Sequence, residues 1–201
     1  MNKILDATIE HLQISATGVL IAILIGISLG IILTRYKPIA GFVMSLTDII
    51  QTIPTLALLS LLMMIFGLGE TTVIVGLFLY SLLPIVRNTY VGILNVDRGL
   101  LEAGRGMGMT KAQLLFKVEL PIALPIIISG VRVALVTALG IATIGVLIGA
   151  GGLGGLIWRG IQMANVKMIL SGAIPVSLLA IGIDLLLILM ENKLVKSKNK
   201  K

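Results

Sequence analysis

Five long apolar runs constrain the fold of this chain more than any other feature of its sequence. They cover about residues 14–34, 49–68, 72–90, 122–149 and 169–190. A helix needs about 20 apolar residues to cross the hydrocarbon core of a bilayer. Hydrophobic residues occupy 57% of the 201 positions, which is more than a soluble domain of this size can bury. We therefore expect an all-α integral membrane protein with five transmembrane helices, forming one domain over residues 1–201.

The basic residues indicate which way these spans are oriented. If the N-terminus lies outside and the C-terminus inside, twelve of the 16 Lys and Arg residues fall in inner segments and three in outer ones. Basic residues are enriched in the cytoplasmic segments of membrane proteins, so the asymmetry predicts this orientation. The net charge of +7 is then a topology signal and predicts no nucleic-acid partner. The basic tail after Lys193 is predicted to be solvated, with contact to anionic membrane lipid as the alternative.

Cysteine is absent and His11 is the single histidine, which excludes thiolate and histidine-cluster metal sites. We expect no metal on this chain, and we expect His11 to be a polar residue at the membrane interface. The chain also has no G-x-x-x-x-G-K-[ST] pattern, the loop that cradles nucleotide phosphates. It is therefore not expected to be an enzyme or to hold a cofactor itself.

A charged loop, about residues 93–121, separates the third and fourth apolar runs. Its first half favours a helix, and Gly108 can end that helix in a left-handed conformation. Thr110 and Gln113 have the spacing of a capping box, which starts a new helix. Pro121 is predicted to bend the chain into the fourth span. The sequence thus predicts two short helices joined by a tight glycine turn.

This loop resembles the cytoplasmic signature of ABC importer permeases. The signature is E-A-[AG], three residues, Gly, nine residues, an aliphatic residue, one residue and then L-P. Here its positions are filled by Glu102, Ala103, Gly104, Gly108, Val118, Leu120 and Pro121. Gly104 replaces the second alanine that the family usually has, which is a change between small residues. The resemblance implies that the loop couples the spans to two separate ATPase subunits, which would hold ATP and Mg²⁺.

The segments "QTIPTLALL" and "GAGGLGGLIWRGI" are similar to the glycine betaine/carnitine/choline branch of these permeases. The resemblance implies a multi-pass subunit of a bacterial cell membrane that imports a quaternary-ammonium osmoprotectant. Its implied partners are a second permease, identical or homologous, and an extracytoplasmic substrate-binding protein. Import of another small zwitterion, such as ergothioneine or a polar amino acid, is the alternative. A membrane scaffold without transport is a more remote alternative.

Five polar side chains inside the apolar runs are candidates for a substrate pathway. They are Gln51, Thr52, Thr55, Tyr80 and Asp184. The first three surround Pro54, and a proline kink frees backbone carbonyls that hydroxyl groups can complement. A simple packing kink is the alternative at Pro54.

Asp184 lies in the middle of the fifth run, where an ionised carboxylate costs at least about 2.5 kcal/mol unless it faces protein or water. It could attract a cationic substrate group, but a structural hydrogen bond to a neighbouring helix is the favoured interpretation. We expect Arg132, in the fourth run, to have a structural role. A lone Asp184 without a catalytic partner argues against an intramembrane protease.

The glycine-rich segment after the fourth run matches G-x-G-x-x-G but lacks the strand and the acidic residue of a dinucleotide site. We expect an external turn or re-entrant segment that continues along the membrane surface. The resemblance implies that this region, with Gly152, Trp158 and Arg159, faces the substrate-binding protein. Trp158 and Arg159 are residue types that suit a membrane interface.

Overall fold

A computed structural model describes residues 2–198 of the protein, and the side-chain surroundings of residues 3–193. Its regular elements are helices, so the all-α prediction is confirmed for this part of the chain. They are α1 (Asn2–Arg35), α2 (Lys37–Thr52), α3 (Thr55–Phe66), α4 (Glu70–Leu94), α5 (Arg98–Gly106), α6 (Lys111–Leu114), α7 (Leu120–Ile144), α8 (Gly154–Gln162) and α9 (Val166–Lys198). The basic tail after Lys193 lies outside the side chains that the structure describes, and the prediction about it stays a prediction.

Four stretches are long and apolar enough to cross a membrane, and a bent helix pair brings the number to five. The straight ones are Lys3–Arg35, Glu70–Leu94, Lys111–Ile148 and Val166–Lys193. The bent pair is α2 with α3, which meet at 101°. The kink that the sequence predicts at Pro54 is therefore a full break between two helices.

Pro54 explains this break between α2 and α3. Proline has no backbone N–H, and it holds the preceding residue in an extended conformation. Ile53 has φ −70° and ψ 126°, which is extended rather than helical. The second apolar run is thus divided between the end of α2 and the whole of α3.

The core forms around α4, which packs most extensively against α1 on one side and α7 on the other. Small residues let α1 and α4 approach closely, as in other membrane helix pairs. A Cβ atom added at Gly26 would lie 2.9 Å from Ile85, and one at Gly30 would lie 2.6 Å from Thr89. By contrast, α9 packs mainly against α7 and α8 and leaves many of its large apolar side chains exposed. Lipid or another subunit must cover that face.

The chain stays helical through Pro121, the residue at which the sequence predicts a bend into the fourth span. Residues Lys111–Ile148 form one continuous helical stretch. A π-helical turn at Leu115–Glu119 directly precedes the proline, and the N–H of Leu120 donates to the carbonyl of Leu115, five residues back. Such a widened turn accommodates a proline without ending the helix.

Candidate functional site

The break between α2 and α3 is held by two hydrogen bonds from neighbouring side chains. The hydroxyl of Tyr80, on α4, donates to the carbonyl of Ile53. The side-chain amide of Gln51 donates to the carbonyl of Tyr80 at 2.9 Å. The end of α2 is therefore tied to the central helix, and the carbonyl beside Pro54 has a donor.

A cavity of about 480 Å³ opens beside this break, which we call the midspan cavity. Its lining residues are Gln51, Thr55, Tyr80, Leu83, Pro84, Arg87, Asn88, Val133, Thr137 and Ile141. Arg87 forms an ion pair with Asp48 of α2, with one guanidinium nitrogen 2.7 and 2.9 Å from the two carboxylate oxygens. The sequence does not reveal this pair, because 39 positions separate its members.

The structure brings three of the five pathway candidates together around the midspan cavity. Gln51, Thr55 and Tyr80 line it, whereas Thr52 is exposed elsewhere and donates to the carbonyl of Ile49. Asp184 lines a separate cavity of about 290 Å³ beside α7.

Asp184 has a positive partner in that second cavity. Its carboxylate lies 3.5 Å from Arg132 Nε, and Arg132 also contacts Glu191 at 3.5 Å. The two cavities share Val133 and Thr137 as wall residues on α7. Arg132 therefore links α7 to α9 through two carboxylates.

The charged loop has the local structure that its sequence predicts. Asp97 caps α5 by accepting a hydrogen bond from the N–H of Leu100. Gly108 follows the helix with φ +78°, a conformation that costs other residues about 1 kcal/mol or more. Thr110 and Gln113 form a capping box, each side chain bonding the other residue's backbone N–H. These bonds fix the turn between α5 and α6.

The signature residues differ in what surrounds them. Glu102 and Ala103 are exposed on α5, and Gly108 is exposed in the turn. Gly104 is buried, and a Cβ atom added there would lie 2.7 Å from Leu114 and 3.3 Å from the sulfur of Met109. Its small size is thus needed for packing of the loop against itself.

The three remaining signature residues belong to the helical stretch that leads into α7. Val118 and Leu120 are half-buried and Pro121 is exposed. Beside them lies Glu119, which the sequence analysis did not single out. Its carboxylate is buried and accepts hydrogen bonds from both terminal nitrogens of Arg35 at the end of α1. The sequence feature that could have revealed this pair is an acidic residue close to basic residues of the loop.

The glycine-rich segment is anchored to the start of α1. Gly149 and Gly152 have φ values of +85° and +86°, and the N–H of Gly152 donates to the carboxylate of Glu10 at 2.7 Å. His11 is fully buried beside it, with Nε2 3.0 Å from the carbonyl oxygen of Leu139. The prediction of an interfacial His11 is therefore wrong, because close packing of α1 against α7 encloses the ring.

The segment then continues into α8, which carries Trp158 and Arg159. Both side chains line a cavity of about 650 Å³ together with Gly152 and Glu10. Trp158 is 38% exposed, and the guanidinium of Arg159 donates to the carbonyl of Gly155 at 3.1 Å. The three residues predicted as a protein contact therefore surround one open cavity at the same end of the molecule as the start of α1.

Comparison with known proteins places this geometry in a family. A family model described as "Binding-protein-dependent transport system inner membrane component" matches residues 22–198. The glycine betaine/carnitine/choline transport system permease protein OpuCD of Bacillus subtilis is 50% identical over 199 residues, covering 98% of this chain and 87% of that protein. The carnitine transport permease protein OpuCD of Listeria monocytogenes is 52% identical over 193 residues, covering 96% and 86%.

Solved structures show the same fold. An inward-facing form of the MetNI methionine ABC transporter superposes with a TM-score of 0.83 at 25% identity, covering 95% of both chains. An amino acid ABC transporter with histidines superposes with a TM-score of 0.72 at 24% identity, covering 96% of both chains. These likenesses extend the match to the arrangement of the helices. The chain thus belongs to the inner-membrane components of binding-protein-dependent transport systems.

Proposed function

We propose that this chain is the permease subunit of an ATP-driven importer that moves a quaternary-ammonium osmoprotectant, such as glycine betaine, carnitine or choline, into the cell. The observation that carries the proposal is identity of about half the residues, over nearly the whole chain, with permeases named for these substrates. A relative in Salmonella typhimurium, 44% identical over 185 residues, is also named as an osmoprotectant import permease protein. Family membership supports transport rather than a scaffold role.

The midspan cavity is the proposed substrate pathway. Gln51, Thr55 and Tyr80 supply polar groups beside a helix break, and non-helical backbone at membrane depth occurs where it lines a cavity. Asp48 neutralises Arg87, so the two charges beside this cavity balance. A zwitterion such as glycine betaine or carnitine needs no net charge from its path, which fits this balanced wall. Asp184, already paired with Arg132, is assigned to structure in this proposal.

The loop of α5 and α6 is the proposed contact with the ATPase subunits. Its exposed residues Glu102 and Ala103 lie on α5, and Gly108 lies in the following turn, which the capping box of Thr110 fixes. A rigid, exposed loop can transmit the closing of two ATPase subunits to the spans and change their tilt. ATP and Mg²⁺ would bind those partner subunits. A second permease, identical or homologous, would complete the pore.

The glycine-rich segment and α8 form the proposed contact with the substrate-binding protein. Gly152, Trp158 and Arg159 surround an open cavity, and the basic asymmetry favours this end lying outside the cell. The N-terminus would then be external, and the coupling loop and C-terminus would be cytoplasmic.

The test is uptake by the permease reconstituted with its ATPase, second permease and binding protein. We expect ATP-dependent uptake of labelled glycine betaine or carnitine that excess ergothioneine or a polar amino acid does not inhibit. Inhibition by either competitor at equal concentration would replace the osmoprotectant assignment with the corresponding substrate class.

A second measurement tests the coupling loop in the same preparation. Gly108→Val and Glu102→Lys should abolish substrate-stimulated ATP hydrolysis while leaving membrane insertion intact. Gly108→Val forces a β-branched residue to positive φ, and Glu102→Lys reverses an exposed charge that a partner can pair. Gly106→Ala is the matched control, because a Cβ atom there meets nothing within 4 Å. Normal substrate-stimulated ATP hydrolysis in both variants would show that this loop is not the contact with the ATPase subunits.

A further inference from the structure

A second cavity, of about 420 Å³, lies where the loop meets the end of α1, and we call it the basal cavity. Its walls come from the last residues of α1, from the turn between α5 and α6, and from the helix that leads into α7. The lining residues are Thr34, Arg35, Arg105, Met109, Lys111, Leu114 and Glu119. It shares no lining residue with the midspan cavity.

The charges in the basal cavity are unbalanced. Three basic side chains line it but only one carboxylate does, that of Glu119. Arg35 occupies that carboxylate with both terminal nitrogens, one of them at 3.2 Å. Among the described residues, neither Arg105 nor Lys111 has an ion pair with a carboxylate. Two positive charges therefore face this cavity without an anionic partner.

The basal cavity lies where two candidate membrane spans end. The stretches Lys3–Arg35 and Lys111–Ile148 are both long and apolar enough to span, and both have an end at this cavity. Exposed apolar side chains lie close to its lining residues along the chain. Tyr36, Met107 and Phe116, each within two residues of a lining residue, are 60%, 72% and 67% exposed. A basic cavity bordered by exposed apolar groups matches a ligand with a phosphate and acyl chains.

We propose that the basal cavity binds the phosphate group of an anionic phospholipid headgroup. Arg105 can donate two parallel hydrogen bonds to phosphate oxygens, and Lys111 acts as a second point charge. The acyl chains would cover the flanking apolar side chains. Because the cavity joins α1, the loop and the α7 stretch, a bound lipid would hold the loop against the ends of two spans. The inference does not depend on the transported substrate. Arg105 and Lys111 belong to the loop proposed as the ATPase contact, so lipid binding is measured on the chain without the ATPase subunits.

The test is lipid binding to the purified full-length chain in a neutral detergent. Short-chain phosphatidylglycerol is titrated, and both its dissociation constant and the shift in thermal unfolding temperature are measured. The cavity variant carries Arg105→Gln and Lys111→Gln. The matched control carries Lys117→Gln and Lys193→Gln, which removes the same charge at two exposed positions outside the cavity. Phosphatidylcholine and inorganic phosphate serve as separate ligands.

We expect phosphatidylglycerol to bind the control and the unmodified chain equally, and the cavity variant roughly 25-fold more weakly, at about five-fold for each charge. The increase in unfolding temperature that phosphatidylglycerol causes should be lost in the cavity variant. Equal weakening in both variants would show diffuse attraction to the basic surface and overturn the proposal. An equal effect of inorganic phosphate would assign the site to free phosphate. Unchanged binding in the cavity variant would also overturn the proposal, and an acidic segment of a partner protein would then be the candidate ligand of the cavity.

Discussion

The carboxylate of Glu10 accepts a hydrogen bond from the backbone N–H of Gly152, although 142 positions separate the two residues. The same carboxylate lies directly over Gly151, where a Cβ atom would come within 1.8 Å of it. The glycines of this segment therefore permit contact with α1 as well as a turn. Contact with α1 therefore constrains this segment, in addition to the turn or re-entrant segment that the sequence predicts.

Gly152→Ala should destabilise the protein by about 1 kcal/mol or more, because alanine is strained at φ +86°. The added Cβ atom would also lie 3.0 Å from the ring of His11, which is buried and has little room to move. The measurement is the thermal unfolding temperature of the purified full-length chain. Gly155→Ala is the control, since its Cβ atom would meet nothing closer than 3.8 Å. Equal stability of the two variants would contradict the anchoring role of this segment.

The ion pairs of Arg132 predict that Arg132→Gln destabilises the protein more than Asp184→Asn does. Asp184→Asn should leave uptake and stability nearly unchanged, because Arg132 keeps Glu191 as a partner. Arg132→Gln should cost about 2 kcal/mol, because it leaves two carboxylates without a cation in a spanning region. Thermal unfolding and uptake at matched expression are the measurements.

A double variant serves as the control for this order. Combining Arg132→Gln with Asp184→Asn should recover part of the lost stability, since one uncompensated charge is removed. Loss of uptake in Asp184→Asn at normal expression would instead assign Asp184 to the substrate pathway.

Variants of Gly104 distinguish a packing constraint within the loop from a constraint imposed by a cleft of the partner. Gly104→Ala should cost less than about 1 kcal/mol, because only a terminal methyl of Leu114 and the Met109 sulfur have to shift. Gly104→Leu should abolish coupling, because no such adjustment makes room for four carbons. Adding Leu114→Ala should restore ATPase co-purification with Gly104→Leu. If the second change restores nothing, the constraint at Gly104 comes from the partner.

Cysteine labelling tests the orientation. The natural chain has no cysteine, so single cysteines at Glu70 and Lys193 can be introduced without background. Both positions are exposed. We expect an impermeant thiol reagent to label position 70 but not position 193 in intact cells, since the basic asymmetry places Lys193 inside. The opposite labelling pattern would reverse the proposed topology.

The sequence by itself determined the features that depend on local physics. Long apolar runs require helices in a bilayer, because every backbone polar group must be satisfied within its own segment. The cap at Thr110 and the turn at Gly108 follow from residues a few positions apart, whose dihedral preferences and side-chain reach are set locally. The break near Pro54 was likewise predictable, since proline removes a donor and restrains Ile53.

The tertiary structure alone decided which partners the polar residues have. The sequence indicates that Asp184 needs a partner, but only the packing of α9 on α7 supplies Arg132. The pairing of Glu119 with Arg35 and the enclosure of His11 likewise join positions 84 and 128 apart. A charge or imidazole taken out of water must be compensated, but many donors and acceptors on other helices could do this equally well. The choice among them is made by which helix faces approach, and that depends on packing across the whole core.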